Sequence, residues 1–429
     1  MNKDNPFQKQ RFSAHLGLER ITELCSRLGD PHRQFRSIHI GGTNGKGSTA
    51  AYLASVLEHH GYRVGLFTSP HLVDYRERFR INGDLISAEE LAAISAEVNE
   101  LMSKIEAEFP EYGTFTMFEG AAATAFLYFS AQNVDWAVIE VGLGGRFDAT
   151  NILHPEISVI TPVGHDHVDR LGPTLADVAR EKAGIIKSRV PVCVSEQLPE
   201  VERVLQAAAA DREAPYFSLK DVDWQPHKWN LFGGELIFPA LDSHPFPVQL
   251  LGRHQLTNAA AALLALQVLG ERGLRLNPKL IRNGLAAAQW PGRLQVVSRD
   301  PLVIFDGAHN RESFLALTDA LDELVHRKLT FVIGMSADKN PSIIEPLLPL
   351  AERILFTESE NSRLGAKSAA ELRDYAADRG IEAQIIAFAD LPNTIFEYDP
   401  VCVCGSLYLI GDLQAAVLKE NRGHPSIKT

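Results

Sequence analysis

At 429 residues, 45% hydrophobic and 22% charged, the chain reads as globular and too long for one ordinary core, so two domains, or three, are expected. A formal charge of -12, with acidic residues spread along the chain, excludes the basic face that nonspecific nucleic-acid binding needs. The longest apolar stretches, 121–129 and 259–266, fall short of the roughly 18 residues that span a bilayer, and the opening MNKDNPFQKQRF lacks the apolar region of a secretory signal. Cys25, Cys193, Cys402 and Cys404 show no paired metal-ligand spacing. Cys402 and Cys404 alternate with valine as in one buried strand, so a reducing cytoplasm is the expected compartment.

In chain order, a helical lead over 18–28 stops at Gly29-Asp30-Pro31, and a short apolar strand over 37–40 runs straight into GGTNGKGST at 41–49. A helix with its apolar stripe at Ala50, Leu53, Ala54 and Leu57 follows to Gly61, then a strand at 64–67. Strand, glycine-rich loop, helix, strand is the βαβ unit of a parallel sheet. DYRERFR at 74–80 sets Arg76, Arg78 and Arg80 at period two. That spacing reads equally as an exposed strand face and as cations gathered for an anionic small substrate.

Strands at 134–141 and 157–161 end in GLGGR and PVGHDH, with a helix at 175–186 and a strand at 190–194 after them. The stretch 215–250, with two tryptophans and several prolines, reads as antiparallel hairpin material appended to the sheet. An Ala/Leu helix over 258–269 precedes WPGR at 290–293. The alternation then restarts, with strands expected at 302–305, 330–333, 353–355, 383–386 and 401–404. This predicts a second, smaller doubly wound domain, divided from the first near residue 296, and a loose tail in RGHPSIKT.

The strongest chemical signal is Gly42-Thr43-Asn44-Gly45-Lys46-Gly47-Ser48-Thr49. Glycines let backbone N–H groups converge on phosphate oxygens at the positive end of the following helix. Lys46 supplies a point charge for the β/γ phosphates, and a hydroxyl at the helix start reaches Mg²⁺. The loop departs from the strict P-loop pattern, because Gly47 separates the lysine from the hydroxyl.

The variant GTNGKGS resembles the Mur ligase superfamily, and within it the folylpolyglutamate synthase/dihydrofolate synthase branch. The resemblance recurs in TSPHL (68–72), YRERFRING (75–83), TMFE (116–119), EVGLGGRFDATN (140–151), HDHVDRLG (165–172), AREKAGI (179–185), PGRLQVV (291–297), DGAHN (306–310) and CGSLYLIGD (404–412). It implies an α/β fold: a doubly wound, mostly parallel P-loop sheet of the Mur central-domain type over 1–295, with a smaller Rossmann-like domain over 296–429.

The resemblance also implies roles. Thr43, Asn44, Gly45, Lys46, Gly47 and Ser48 would hold ATP, with Asn258 at the adenine, Arg293 at the γ-phosphate, and Asp306 and His309 reaching back from the second domain. Ser69, Glu140 and His167 would be Mg²⁺ ligands, and Lys182, carbamylated by CO₂, would support a second metal. Catalysis would rest on Lys46, Lys182, His167 and Arg293, with K⁺ as a further implied ion. Thr116, Phe118, Glu119, Phe147, Asp148 and Ala149 would hold a pterin. Taken from the residues alone, Lys182 is a solvated helical lysine, Asn258 a helix cap, Arg293 an interdomain ion pair and Phe118 a core residue. The family's proline after DGAHN is Arg311 here. The implied reaction adds L-glutamate to a tetrahydrofolate, and to dihydropteroate, through an acyl phosphate, in a monomeric enzyme. A Mur ligase acting on a peptidoglycan precursor and a non-ligating nucleotide switch are the rivals.

Overall fold

The computed structural model describes residues 5–7, 17–165, 168–359 and 365–420. His167, most of the opening segment 12–20 and the RGHPSIKT tail lie outside them. The large lobe is built on eight strands: β1 (Arg36–Gly41), β2 (Val64–Phe67), β3 (Phe79–Ile81), β4 (Asp84–Leu85), β5 (Trp136–Glu140), β6 (Ile157–Ile160), β7 (Val192–Val194) and β8 (Tyr216–Ser218). Their order is β4-β3-β2-β5-β1-β6-β7-β8, parallel from β2 to β8, with β3 and β4 antiparallel at one edge. The central strands are buried on both faces, which is why they read as continuous apolar runs.

Helix Lys46–His59 is buried nearly all round, between the sheet and the helices Arg253–Glu271 and Pro278–Ala287. Gly284 permits this approach, since a Cβ there would stand 2.6 Å from Val56 Cα. Helices Ala88–Glu108, Met117–Ala131 and Leu175–Lys182 start on capping boxes, Ser87/Glu90, Thr116/Glu119 and Thr174/Asp177. The last helix is shorter than the predicted 175–186; a 3₁₀ turn, Ala183–Ile185, replaces its end.

Three sequence expectations are corrected. Of 215–250, only β8 joins the large sheet; β9 (Gln225–Asn230), β10 (Gly233–Phe238) and β11 (Asp242–Val248) form a separate antiparallel sheet. That sheet ties to the small lobe, with Trp229 Nε1 donating to Glu323 at 2.8 Å and Arg299 donating to Leu231 O. The Ala/Leu helix begins at Arg253, so Asn258 lies more than a turn inside it and caps nothing. The arginine run is not one strand face: Tyr75–Arg78 is a 3₁₀ turn and only Arg80 enters a strand.

The small lobe carries β12 (Gln295–Arg299), β13 (Leu302–Phe305), β14 (Leu329–Ile333), β15 (Ala351–Phe356), β16 (Glu382–Ile385) and β17 (Val401–Cys404), in the order β12-β13-β17-β14-β15-β16. Five of these are parallel and β12, absent from the sequence reading, is an antiparallel edge. Cys402 and Cys404 lie buried in β17, as their alternation with valine predicts. All four cysteines are free and buried.

Candidate active site

The phosphate loop leaves the C-terminal end of β1, between β5 and β6, at the kind of sheet crevice where open α/β folds bind ligands. Thr43 and Asn44 N–H both donate to Pro162 O, at 2.9 and 3.3 Å, fixing the loop to the end of β6. Gly42, at φ 134°, has Thr161 Oγ1 2.0 Å from where a Cβ would stand, so the position admits no side chain. Gly45, at φ 86°, abuts Asn258 in the same way, which places Asn258 on the loop even though it caps no helix. Helix Lys46–His59 then presents its first amides, of Lys46, Gly47 and Ser48, without intrahelical partners. Lys46 Nζ donates to Thr43 O at 3.0 Å, folded back over the loop.

Two hollows meet this loop. One is lined by Gly42, Thr43, Lys46, the 141–144 segment, Leu171 and Lys182. The other is lined by Gly47, Thr68, Ser69, Glu77, Arg80, Glu140, Trp290, Arg293 and Leu407 among others. Glu140 ends β5 fully buried, and Ser69 N–H donates to its Oε2 at 3.0 Å. Burial pushes its carboxyl above the usual carboxylate range, opposed by Lys46, the Ser69 amide, Arg293 and Arg78. Lys182 is buried, not solvated: its Nζ donates to Gly42 O at 2.6 Å from the end of its helix.

The small lobe reaches the same place. Asp306, at the end of β13, accepts N–H from Leu294 and Ala308, each at 2.8 Å, and burial raises its pKa against the nearby Arg293. That carboxylate holds Leu294 at φ 43°, a left-handed backbone rare for leucine, so the joint between lobes is fixed at Asp306. Arg293 forms no salt bridge among the described residues; it hydrogen-bonds Gly292 O and lies over Gly307. His309 Nδ1 contacts Gly307 O at 2.8 Å. Asn310, not expected from the sequence, caps helix Arg311–Val325 and bonds to Asn44, while Glu312 accepts His165 N–H at 3.1 Å. Arg311 leaves the cap intact.

The remaining predicted residues form a wall beside the 142–148 loop. Phe118 packs over Gly142, where a Cβ would lie 2.4 Å from its ring, and 5.7 Å from the Phe67 ring. Phe147 is exposed. Thr116 and Glu119 cap helix Met117–Ala131, and Glu119 also pairs with buried Arg20 at 2.9 Å. Asp148 is turned inward: its carboxylate accepts Gly142 and Leu143 N–H on one oxygen and Thr150 N–H and Oγ1 on the other. Those four bonds occupy its acceptor sites, so the inward carboxylate organises the loop in this geometry. Ala149 is buried in the core beneath it. Thr150 Oγ1 in turn meets His39 Nε2 at 2.8 Å.

The comparisons agree with this layout. The Mur ligase middle domain matches residues 40–266, and the dihydrofolate synthetase C-terminal domain matches 293–417. A Bacillus subtilis dihydrofolate synthase/folylpolyglutamate synthase is 36% identical, over 94% of this chain and 95% of that protein. The chain belongs to the folylpolyglutamate synthase/dihydrofolate synthase branch of the Mur ligases. Its structural relatives include a Mycobacterium tuberculosis folylpolyglutamate synthase complexed with ADP and AMPPCP, at TM-score 0.85 and 31% identity, covering 94% of this chain and 95% of that one. Escherichia coli FolC in complex with DHPP and ADP superposes at TM-score 0.83 with 30% identity, over 96% of each chain. As a member of this branch the protein is an ATP-dependent ligase. Its C-terminal match is to the dihydrofolate synthetase domain, which removes the ground for a peptidoglycan-directed Mur ligase. Among the described residues, no helix is long and apolar enough to cross a membrane.

Proposed function

We propose that the enzyme adds L-glutamate to the γ-carboxyl of a tetrahydrofolate, and to the carboxyl of dihydropteroate, by way of an acyl phosphate. A carboxylate is inert to amines. Transfer of the γ-phosphoryl group of ATP converts it to a mixed anhydride, and the glutamate amine then displaces phosphate. The charge spread over the transferring group calls for cations placed beforehand. The observation that carries the reading is the convergence of Lys46, Arg293, Ser69 and buried Glu140 around the phosphate loop, at a hollow that Leu407 of the small lobe also lines.

Thr43 to Ser48 are proposed to hold the triphosphate, with Asn258 at the nucleotide and Asp306 and His309 completing the site from the small lobe. Lobe division near residue 296 fits this reading, since β12 opens the small lobe at Gln295 and the joint lies at Arg293 and Leu294. Thr116, Phe118, Glu119, Phe147, Asp148 and Ala149 are assigned to the pterin wall: the Phe118 and Phe147 rings supply apolar surface, and the two carboxylates hold the wall's backbone in place.

Magnesium fits the donor set. Glu140 receives one hydrogen bond among the described residues, from Ser69, and burial raises its pKa despite Lys46, Arg293 and Arg78 nearby, so a hard cation would favour its ionised form. Glu140 and Ser69 would hold it together with His167, which lies outside the described residues. Bound Mg²⁺ supplies charge neutralisation at the phosphates. Lys182, buried beside Gly42 in the hollow shared with Lys46, is assigned as the carbamylated lysine that supports a second ion. K⁺ dependence rests on the family resemblance alone. A reducing cytoplasm fits the four free cysteines, and a monomer rests on the family resemblance alone.

The test is direct. Purified protein with ATP, Mg²⁺ and radiolabelled glutamate is offered dihydropteroate or tetrahydrofolate in separate reactions. Label in both products is expected; label in neither refutes the folate assignment, and ADP release independent of both substrates favours a nucleotide switch.

A further inference from the structure

The three arginines of DYRERFR end in three environments. Arg76 forks onto Asp74 at the surface, its closest N–O distance 2.6 Å. Arg78 is buried, with Nε donating to His71 Nδ1 at 3.0 Å. Arg80 sits on β3 and lines the hollow that also holds Ser69, Glu140 and Arg293.

Arg80 is the one of the three left with open donors. Its Nε donates to Glu77 O at 3.2 Å, and among the described residues its two Nη groups take no hydrogen bond and it forms no ion pair. The Glu77 carboxylate is committed to N–H groups of Leu72, Val73 and Asp74 and forms no ion pair with Arg80. Desolvation lowers the Arg80 pKa, with Glu77 only partly opposing. A half-buried guanidinium without an ion-pair partner is costly, and a carboxylate that pairs with it recovers that cost. The triphosphate already has the helix amides, Lys46 and Arg293 proposed for it. The planar fork of Arg80 matches a carboxylate, two parallel N–H groups to two oxygens.

We propose that Arg80 is a carboxylate-binding residue of the ligase site, its Nη pair receiving a carboxylate of either the folate acceptor or the incoming glutamate. This deepens the ligase reading and rests on it. The run at 74–80 then serves the anionic substrate through one arginine, with Arg76 and Arg78 shaping the turn that aims it.

Steady-state kinetics of Arg80→Gln and Arg80→Lys in the full chain test this, with KM measured separately for L-glutamate, tetrahydrofolate and ATP. In Arg80→Gln the KM of one carboxylate substrate is expected to rise roughly 10- to 100-fold, the range for losing hydrogen bonds to a charged group. Arg80→Lys, which keeps the charge and loses the fork, is expected to fall between, with the ATP KM unmoved in both. A rise confined to glutamate assigns the incoming amino acid; a rise confined to tetrahydrofolate assigns the acceptor. A rise confined to ATP makes Arg80 a phosphate ligand and overturns the proposal, as do unchanged KM values throughout. If Arg80→Gln does not fold, the Lys variant carries the same comparison. A wild-type enzyme that ligates glutamate to no folate sinks the ligase reading, whereas an active wild type with unmoved variants sinks Arg80 alone.

Discussion

Asn310 Nδ2 donates to Asn44 Oδ1 at 3.3 Å, so the cap of the small lobe's first helix touches the phosphate loop of the large lobe. The same Asn310 accepts Ser313 N–H at 2.8 Å and thereby starts its own helix. Placement of the small lobe and the shape of the nucleotide site are thus read by one side chain. Asn310→Asp keeps the cap, because aspartate caps as well as asparagine, but replaces the donor with a negative charge beside the loop. The ATP KM is expected to rise about tenfold, the cost of a lost polar contact plus a like charge, with thermal unfolding unchanged. Kinetics and calorimetry on the same preparation check this; an unmoved ATP KM means the contact has no part in nucleotide binding.

Glu140 has its pKa raised by burial, so the sign of its linkage is fixed. A carboxyl raised in the folded state favours folding below its unfolded pKa and loses that contribution as pH rises through the folded value. At neutral pH the ionised, desolvated group therefore opposes folding until a cation arrives. Glu140→Gln is expected to melt above the wild type without Mg²⁺, to gain less from added Mg²⁺, and to lose ligation by about 100-fold or more. Equal Mg²⁺ stabilisation of both proteins by calorimetry would remove Glu140 from the metal site.

Lys182→Ala deletes the Nζ contact to Gly42 O at the rear of the loop. Ligation is expected to be abolished while nucleotide binding, followed by fluorescence or calorimetric titration, persists. Full activity in this variant would dispose of the carbamate.

Two histidines, buried His39 and half-buried His254, set the acid limb of stability. Burial pushes His39 down to about 3 and His254 to about 4, each helped by a nearby cation, Lys187 and Arg293. A histidine depressed in the folded state stabilises above its unfolded pKa, near 6.5, and that contribution is lost as pH falls toward the folded value. Stability is expected to decline below about pH 6.5, each histidine adding at most about 1.4 kcal/mol per pH unit. His39→Gln, keeping a donor toward Thr150 Oγ1, should flatten the decline in denaturant titrations between pH 4 and 6.5 (about one unfolded histidine's range). An unchanged slope would show that His39 is protonated in the folded enzyme.

The βαβ unit around 41–67 was legible because its signals are local: an apolar run, a glycine loop and a helical stripe closed by glycine. The central parallel strands of both lobes were legible for the same reason, being buried on both faces, while part-buried β8 was read as hairpin material. What escaped is set by distant partners. Nothing near Gly252 announces the start of helix Arg253–Glu271, which has no side-chain cap, so the apolar block was read as the whole helix. The sheet β9–β11 has hairpin chemistry in its sequence, but its seat against Glu323 and Arg299 is a tertiary fact.

Among site residues, the placement of the loop and of Glu140 at a strand end was legible, while the inward turn of Asp148 was not. Its signal was present in Asp148-Ala149-Thr150, an Asx turn in which the carboxylate takes the N–H two residues on. Asn310 carried a comparable signal, Asn310 with Ser313 at capping spacing, though not the reach to Asn44. Arg80 separates from Arg78 only once the 3₁₀ turn breaks the period of two.

Activation of the acceptor carboxylate by phosphoryl transfer is the step on which every assigned residue depends. Acceptor labelled with ¹⁸O in that carboxylate, turned over with ATP and glutamate, reports on it through mass spectrometry of the released phosphate. One labelled oxygen per phosphate is the expected result, since the acyl-phosphate bridge leaves with the phosphoryl group. Phosphate free of label, alongside normal product formation, would contradict it.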